Sequence, residues 1–135
     1  VYGHDMGTEH VIPEFIKKIS KVNLKKVKLK INGTGHEIRS FIHIDDFVDA
    51  FRLIFEKGRH MEIYNIGTQN KIKILNLAKL IGKKLNKKIL IEKKYNLSGG
   101  TNIRCPNIAK IRKLGFKEKI SLDNGLKKII EKVKN

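Results

Sequence analysis

A single cysteine, Cys105, stands in this sequence of 135 residues. No internal disulfide can form, and the chemistry suits a reducing, cytoplasmic setting. Long apolar runs are missing as well: no stretch approaches the roughly 18 uncharged residues that a membrane-crossing helix needs. The opening Val1-Tyr2-Gly3-His4-Asp5 carries neither an initiator Met nor a leader pattern, and it reads as the middle of something longer, which predicts a fragment. Gly-x-Gly-x-x-Gly is absent too. Its nearest approach, Gly33-Thr34-Gly35, has Ile38 where the third glycine would stand and runs into a strand rather than a helix, so it reads as a turn. The histidines show no metal-ligand spacing, and Cys105 has no His or Asp close in sequence to make it a nucleophile.

Acidic residues are also scarce, 13 against 30 Lys and Arg, for a formal charge of +17. That excess raises a nucleic-acid reading through long-range attraction to polyanions. However, most of the basic residues are lysines scattered over every helix, with no recognition motif among them. The apolar set is mainly Ile and the neutral polar set is rich in Asn, the signature of an AT-rich coding bias acting on solvated positions. Nucleic-acid binding is therefore the less favoured reading.

What is present is one compact α/β unit without repeat or linker. Val11, Ile12, Phe15, Ile16 and Ile19 predict a helix over 11–20, with Pro13 in its first turn. Val27, Leu29 and Ile31 alternate with lysines and predict a strand over 27–31. A second strand is expected over 38–44. A helix over 45–57 follows, capped by Asp45, with Phe47, Val48, Phe51, Ile54 and Phe55 as its buried stripe. Ile63-Tyr64-Asn65-Ile66 is almost wholly apolar, as a strand buried on both faces of a parallel sheet would be, yet this chain holds few strands to bury it. Further elements are a helix over 74–85, a strand over 89–91, a Gly-Gly loop over 95–101 and a helix over 108–114 capped by Asn107. A last helix, capped by Ser121, turns Leu122, Leu126, Ile129, Ile130 and Val133 inward.

Four segments resemble the extended short-chain dehydrogenase/reductase family, the group of NAD-dependent nucleotide-sugar epimerases and dehydratases. They are Val1-Tyr2-Gly3-His4 with Glu9 to Ile16; Gly33-Thr34-Gly35 through Arg39-Ser40-Phe41-Ile42 to Asp46; Ile63 to Gly67; and Arg104-Cys105-Pro106-Asn107 leading to Gly125-Leu126. His4 stands where the family has Pro, Asn107 where it has Asp, and the family's late Trp is missing. The resemblance implies the C-terminal, substrate-binding part of such an enzyme, with its last Rossmann strand near Ile63–Ile66. It also implies that the NAD-binding Rossmann domain and the catalytic Tyr-x-x-x-Lys lie upstream of Val1. The implied partners are a nucleotide-diphosphate sugar, the upstream Rossmann domain and, for the parent enzyme, a second copy.

The candidate site residues follow from the same comparison. Arg39 matches the family arginine that contacts the pyrophosphate, a role suited to a guanidinium's rigid, permanently charged fork. By strand alternation alone it is an exposed arginine. Arg104 matches a later phosphate- or ribose-contacting arginine, or else decorates a loop. Asn65 is either a structural hydrogen bond closing a strand or a phosphate contact. Val11 opens a helix whose free amides can face phosphate, and Leu29 and Ile31 match the strand flanking the base; for all three, packing is the main expected role. Asp45 and Asp46 read as cap and first-turn charge rather than an acid–base pair. Two other readings stay open, a basic polyanion-binding module and a remnant of a split gene that is marginally stable alone.

Overall fold

The computed structural model describes residues 1–4, 6–7, 9–94 and 101–134. Residues 95–100 of the predicted Gly-Gly loop over 95–101, and the inward placement of the Val133 side chain, lie outside the described residues. The described part holds five helices and five strands, in the order α1 Val11–Ser20, β1 Lys26–Asn32, β2 Ile38–Ser40, α2 Ile44–Lys57, β3 Lys71–Lys73, α3 Ile74–Lys84, β4 Lys88–Lys94, β5 Ile103–Arg104, α4 Ala109–Lys113 and α5 Leu122–Lys134.

β1 and β4 pair in parallel, Val27 opposite Ile89 and Leu29 opposite Ile91. Their period-two pattern sends Val27, Leu29, Ile31 and Ile89 into the main core, where α1, α3 and α5 supply Ile12, Phe15, Ile16, Ile19, Leu77, Ile81, Leu126 and Ile130. The ordering force is burial of these branched side chains, each contributing about 1.5–3 kcal/mol on removal from water. A second, smaller core holds Ile42, Ala50, Ile108, Ile111 and Phe116 between α2 and α4, with Phe47, Leu53, Ile54, Tyr64 and Ile66 packed against it.

A second sheet has the order β3-β2-β5, β2 antiparallel to β3 and parallel to β5. β2 is shorter than the alternation predicts. Its neighbours span two or three residues, so the ladder ends at Ser40. The chain then turns along the N-terminus, with Tyr2 N–H donating to the Ile42 carbonyl at 2.9 Å and Ile44 N–H to the Tyr2 carbonyl at 2.8 Å. Both Ile42 and His43 are thereby buried.

Two sequence expectations about α2 are corrected. Its cap is His43, whose Nδ1 accepts the Asp45 N–H at 3.2 Å, and not Asp45. The cap thus stands two residues earlier than expected, at the residue that bridges to Tyr2. The stripe also divides. Phe47 and Ile54 are half-buried, whereas Val48, Phe51 and Phe55 point outward, Phe51 60% and Phe55 86% exposed. Helical geometry sets these two groups on different sides of the cylinder, and among the described residues only the Phe47 and Ile54 group packs into a core.

Ile63–Ile66 has no ladder partner among the described residues, so the expected strand is not formed here. Tyr64 and Ile66 turn toward the smaller core, while Ile63 is 79% exposed and Asn65 is exposed with it. A strand requires a neighbour to take its backbone hydrogen bonds, and among the described residues none runs beside it.

Candidate functional site

A cleft of about 630 Å³ opens where α1, β2, β5 and the N-terminal segment converge. Its floor is apolar, from Tyr2, Ile12, Phe41 and Ile42, and its polar groups come from Arg39, Ser40 and Arg104. The parallel pairing of β2 with β5 makes Arg39 and Arg104 register partners, and both side chains line this one cleft. Like charges directly across neighbouring strands repel. Among the described residues neither arginine has a carboxylate within ion-pair distance. The arrangement is one that a bound anion would relieve.

Arg39 is held in place. Its Nη1 donates to the Ile38 carbonyl at 2.8 Å and to the Asn102 carbonyl at 3.4 Å. These bonds fix the guanidinium plane and leave its Nη2 and Nε edges for a ligand. Val11, at the first turn of α1, lines the same cleft, and its helix has no side-chain cap at His10. The uncapped first turn of α1 therefore borders the same cleft as the arginines, with the positive end of its dipole there.

The remaining expected residues divide. Ile31 lines a smaller hollow of about 290 Å³ that shares Arg39 and Val11 with the main cleft. Leu29 is fully buried in the main core and lines neither. Asn65 lies away from the arginines; its Nδ2 donates to the Asn107 carbonyl at 3.2 Å, beside Ile63 and Lys110. Sequence reasoning did not single out Met6, His10, Ser40, Cys105 or Pro106, which also line the cleft. All but Met6 stand within the quoted motifs, which is the one signal that could have marked them.

The two candidate carboxylates are structural. Asp46 is buried, and its Oδ1 and Oδ2 accept the backbone N–H groups of Lys119 and Ile120 at 3.1 and 3.0 Å. Asp45 is exposed, with Lys128 Nζ at 3.7 Å from its Oδ2. His43 is buried, and burial lowers its pKa against the opposing pull of Asp45. Although Asp45 Oδ2 lies 3.4 Å from Nδ1, that nitrogen already accepts an N–H, so the ring is neutral and the contact is no ion pair. Its Nε2 has no partner among the described residues.

The Gly33-Thr34-Gly35 turn cannot cradle a dinucleotide pyrophosphate. The Thr34 and Gly35 amides both donate to the Glu37 carboxylate at 2.8 Å, and those bonds hold that carboxyl below its usual range despite an opposing desolvation cost. An anion placed there would have to displace a carboxylate. The groups present at this turn do not fit a dinucleotide.

Residues 1–67 match the NAD dependent epimerase/dehydratase family. The dTDP-D-glucose 4,6-dehydratase of Bos taurus is 37% identical over 97% of this chain and 38% of its own length. The chain belongs to the extended short-chain dehydrogenase/reductase family. Among solved structures, dTDP-glucose 4,6-dehydratase from Bacillus anthracis, in complex with NAD, superposes with a TM-score of 0.82 at 25% identity over 96% of this chain and 40% of that one. UDP-glucose 4-epimerase from Thermotoga maritima, with UDP-glucose, gives 0.85 at 27% over 98% and 43%. NAD is the cofactor of this family. The chain spans about two fifths of the length of these relatives.

Proposed function

We propose that this chain is the substrate-binding part of an NAD-dependent nucleotide-sugar epimerase or dehydratase, gripping the diphosphate and contributing no catalytic group of its own. The parent reaction would begin by oxidation at sugar C4, carried out on the Rossmann portion. The observation that supports this reading most is the register pairing of Arg39 with Arg104 in one largely apolar cleft that the start of α1 also lines. Two guanidinium forks and a helix N-terminus suit two adjacent phosphates. The apolar floor suits a base or sugar face. Val11 contributes through its amide, and Ile31 walls the adjoining hollow, whereas Leu29 and Asn65 serve packing and backbone bonding.

Titration of the chain with dTDP-glucose and UDP-glucose tests this directly. The Arg39→Ala variant should bind at least tenfold more weakly, since charge-assisted hydrogen bonds contribute about 1.5–3 kcal/mol each. Equal affinity of variant and wild type would remove Arg39 from the site.

A second reading has one observation behind it. Lys25, Lys79, Lys83, Lys87 and Lys88 ring an open hollow of about 580 Å³ at the far end of α3. If that face carries the function, binding to an unrelated RNA should fall steeply with salt and should not discriminate for nucleotide diphosphates.

A further inference from the structure

Arg39 has no carboxylate partner, although one stands close by in the chain. Glu37 directly precedes β2, two residues from Arg39. Positions two apart in a strand share a face, with Cα atoms about 6.6 Å apart, a separation that Glu and Arg side chains span with ease. Both side chains line the hollow of about 290 Å³ beside the arginine cleft. Even so, Glu37 has no ion-pair partner among the described residues. Glu14, which lines the same hollow, is paired with Lys18 one turn along α1.

The turn before β2 accounts for the missing pair. Glu37 Oε1 accepts the Thr34 N–H at 2.8 Å and the Thr34 hydroxyl at 3.0 Å, and Oε2 accepts the Gly35 N–H at 2.8 Å. Three hydrogen bonds to an ionised acceptor outweigh one ion pair between solvent-accessible side chains. The two glycines make this seat. Gly33 and Gly35 adopt φ 85° and 79°, and a Cβ on Gly33 would stand 2.5 Å from Glu37 Oε1, in the place of the carboxylate itself. The start of α3 anchors the turn from outside. Leu75 N–H donates to the Gly35 carbonyl at 2.9 Å and Ile74 N–H to the Glu37 carbonyl at 3.0 Å.

We propose that the Gly33-Thr34-Gly35 turn is a carboxylate trap, which holds Glu37 off Arg39 and so keeps the guanidinium open to a diphosphate. This rests on the proposed role of Arg39 and adds a control on the same site. Once released, Glu37 would be an internal competitor, an anion paired with Arg39 where a phosphate of the ligand should sit. The release variant is Gly33→Ala, whose methyl group takes the carboxylate's place.

One measurement needs no ligand. The Glu37 carboxyl is titrated by carbon-13 NMR in the wild type and in Gly33→Ala, each with and without Arg39→Ala. Removing an arginine raises the pKa of a carboxyl that was paired with it, so the rise should be larger in Gly33→Ala than in the wild type by about half a unit or more. A smaller difference overturns the inference. The other measurement is affinity for dTDP-glucose. Gly33→Ala should bind about fivefold more weakly, the scale of one exposed ion pair, and adding Glu37→Gln should return affinity to within about twofold of the wild type. A double variant as weak as Gly33→Ala would mean that the turn acts through the backbone of β2 alone, and overturns the inference. If Arg39→Ala leaves affinity unchanged, the arginine reading fails, and the titration alone decides whether the turn restrains Glu37. Should Gly33→Ala lose its fold, Thr34→Val replaces it in both measurements. That variant removes the hydroxyl donor and leaves both amides; the same two signs are expected, and the absence of either overturns the inference.

Discussion

At the scale of single residues, chemistry that looked catalytic in the sequence serves the fold. Asp46 is the clearest case, an adjacent-carboxylate candidate that instead ties the Lys119–Ile120 backbone to α2. Replacing it with Ala leaves two N–H groups without their acceptor, and urea denaturation should show a loss of about 2–4 kcal/mol. Lys87 does similar work at the end of α1, its ammonium donating to the Ile19 carbonyl at 2.7 Å and the Ser20 carbonyl at 3.1 Å. Lys87→Met should cost about 1.5–3 kcal/mol, whereas Lys83→Met, on the exposed side of α3, should cost under about 0.5 kcal/mol. Neither role is legible in the sequence, since the partners lie more than 60 residues away.

His43 gives the fold a pH dependence of definite sign. Burial lowers its pKa from the ordinary value of 6.5, so below that value the unfolded chain binds more protons than the folded one. Stability is fully present above pH 6.5 and falls as the solution is acidified toward the depressed folded value. Urea midpoints at pH 7.5 and 5.5 should show this decline in the wild type. His43→Asn keeps a capping acceptor for the Asp45 N–H without a titrating ring, and its decline should be smaller.

Elements that pack against their own chain were legible. The α1 stripe, the β1 alternation, the Gly115 turn at φ 105° and the Ser121 cap, which accepts the Asn124 N–H at 3.2 Å, all follow local rules. The two- and three-residue strands β3 and β5 carry too little pattern to find, although β5 is what brings Arg104 beside Arg39. Expectation and structure part at α2 and at Ile63–Ile66, where periodicity correctly marks an apolar face and says nothing about which body covers it. The α5 helix adds one close approach. A Cβ on Gly125 would stand 2.1 Å from the Tyr2 hydroxyl oxygen and 2.8 Å from its ring carbons. Gly125→Ala should therefore destabilise by about 1–3 kcal/mol despite the better helix propensity of Ala. Adding Tyr2→Phe, which removes the nearest atom, should recover part of that loss.

On the scale of the whole molecule, the fold gathers cleft residues from positions 1 to 106 around one site, with an apolar face elsewhere on the surface. The α/β class and the two arginines could be read from sequence, because the motifs that carry them are short and contiguous. That Arg39 and Arg104 are neighbours could not, because their pairing is made across 64 intervening positions. The central claim is that these two guanidinium groups hold one diphosphate between them. A double-mutant cycle on dTDP-glucose and UDP-glucose affinity, using Arg39→Ala, Arg104→Ala and the pair, tests it most directly. Shared contact with one ligand predicts that the two losses fail to add, by at least about 0.5 kcal/mol. Losses that add within error, or an affinity that neither substitution changes, would contradict it.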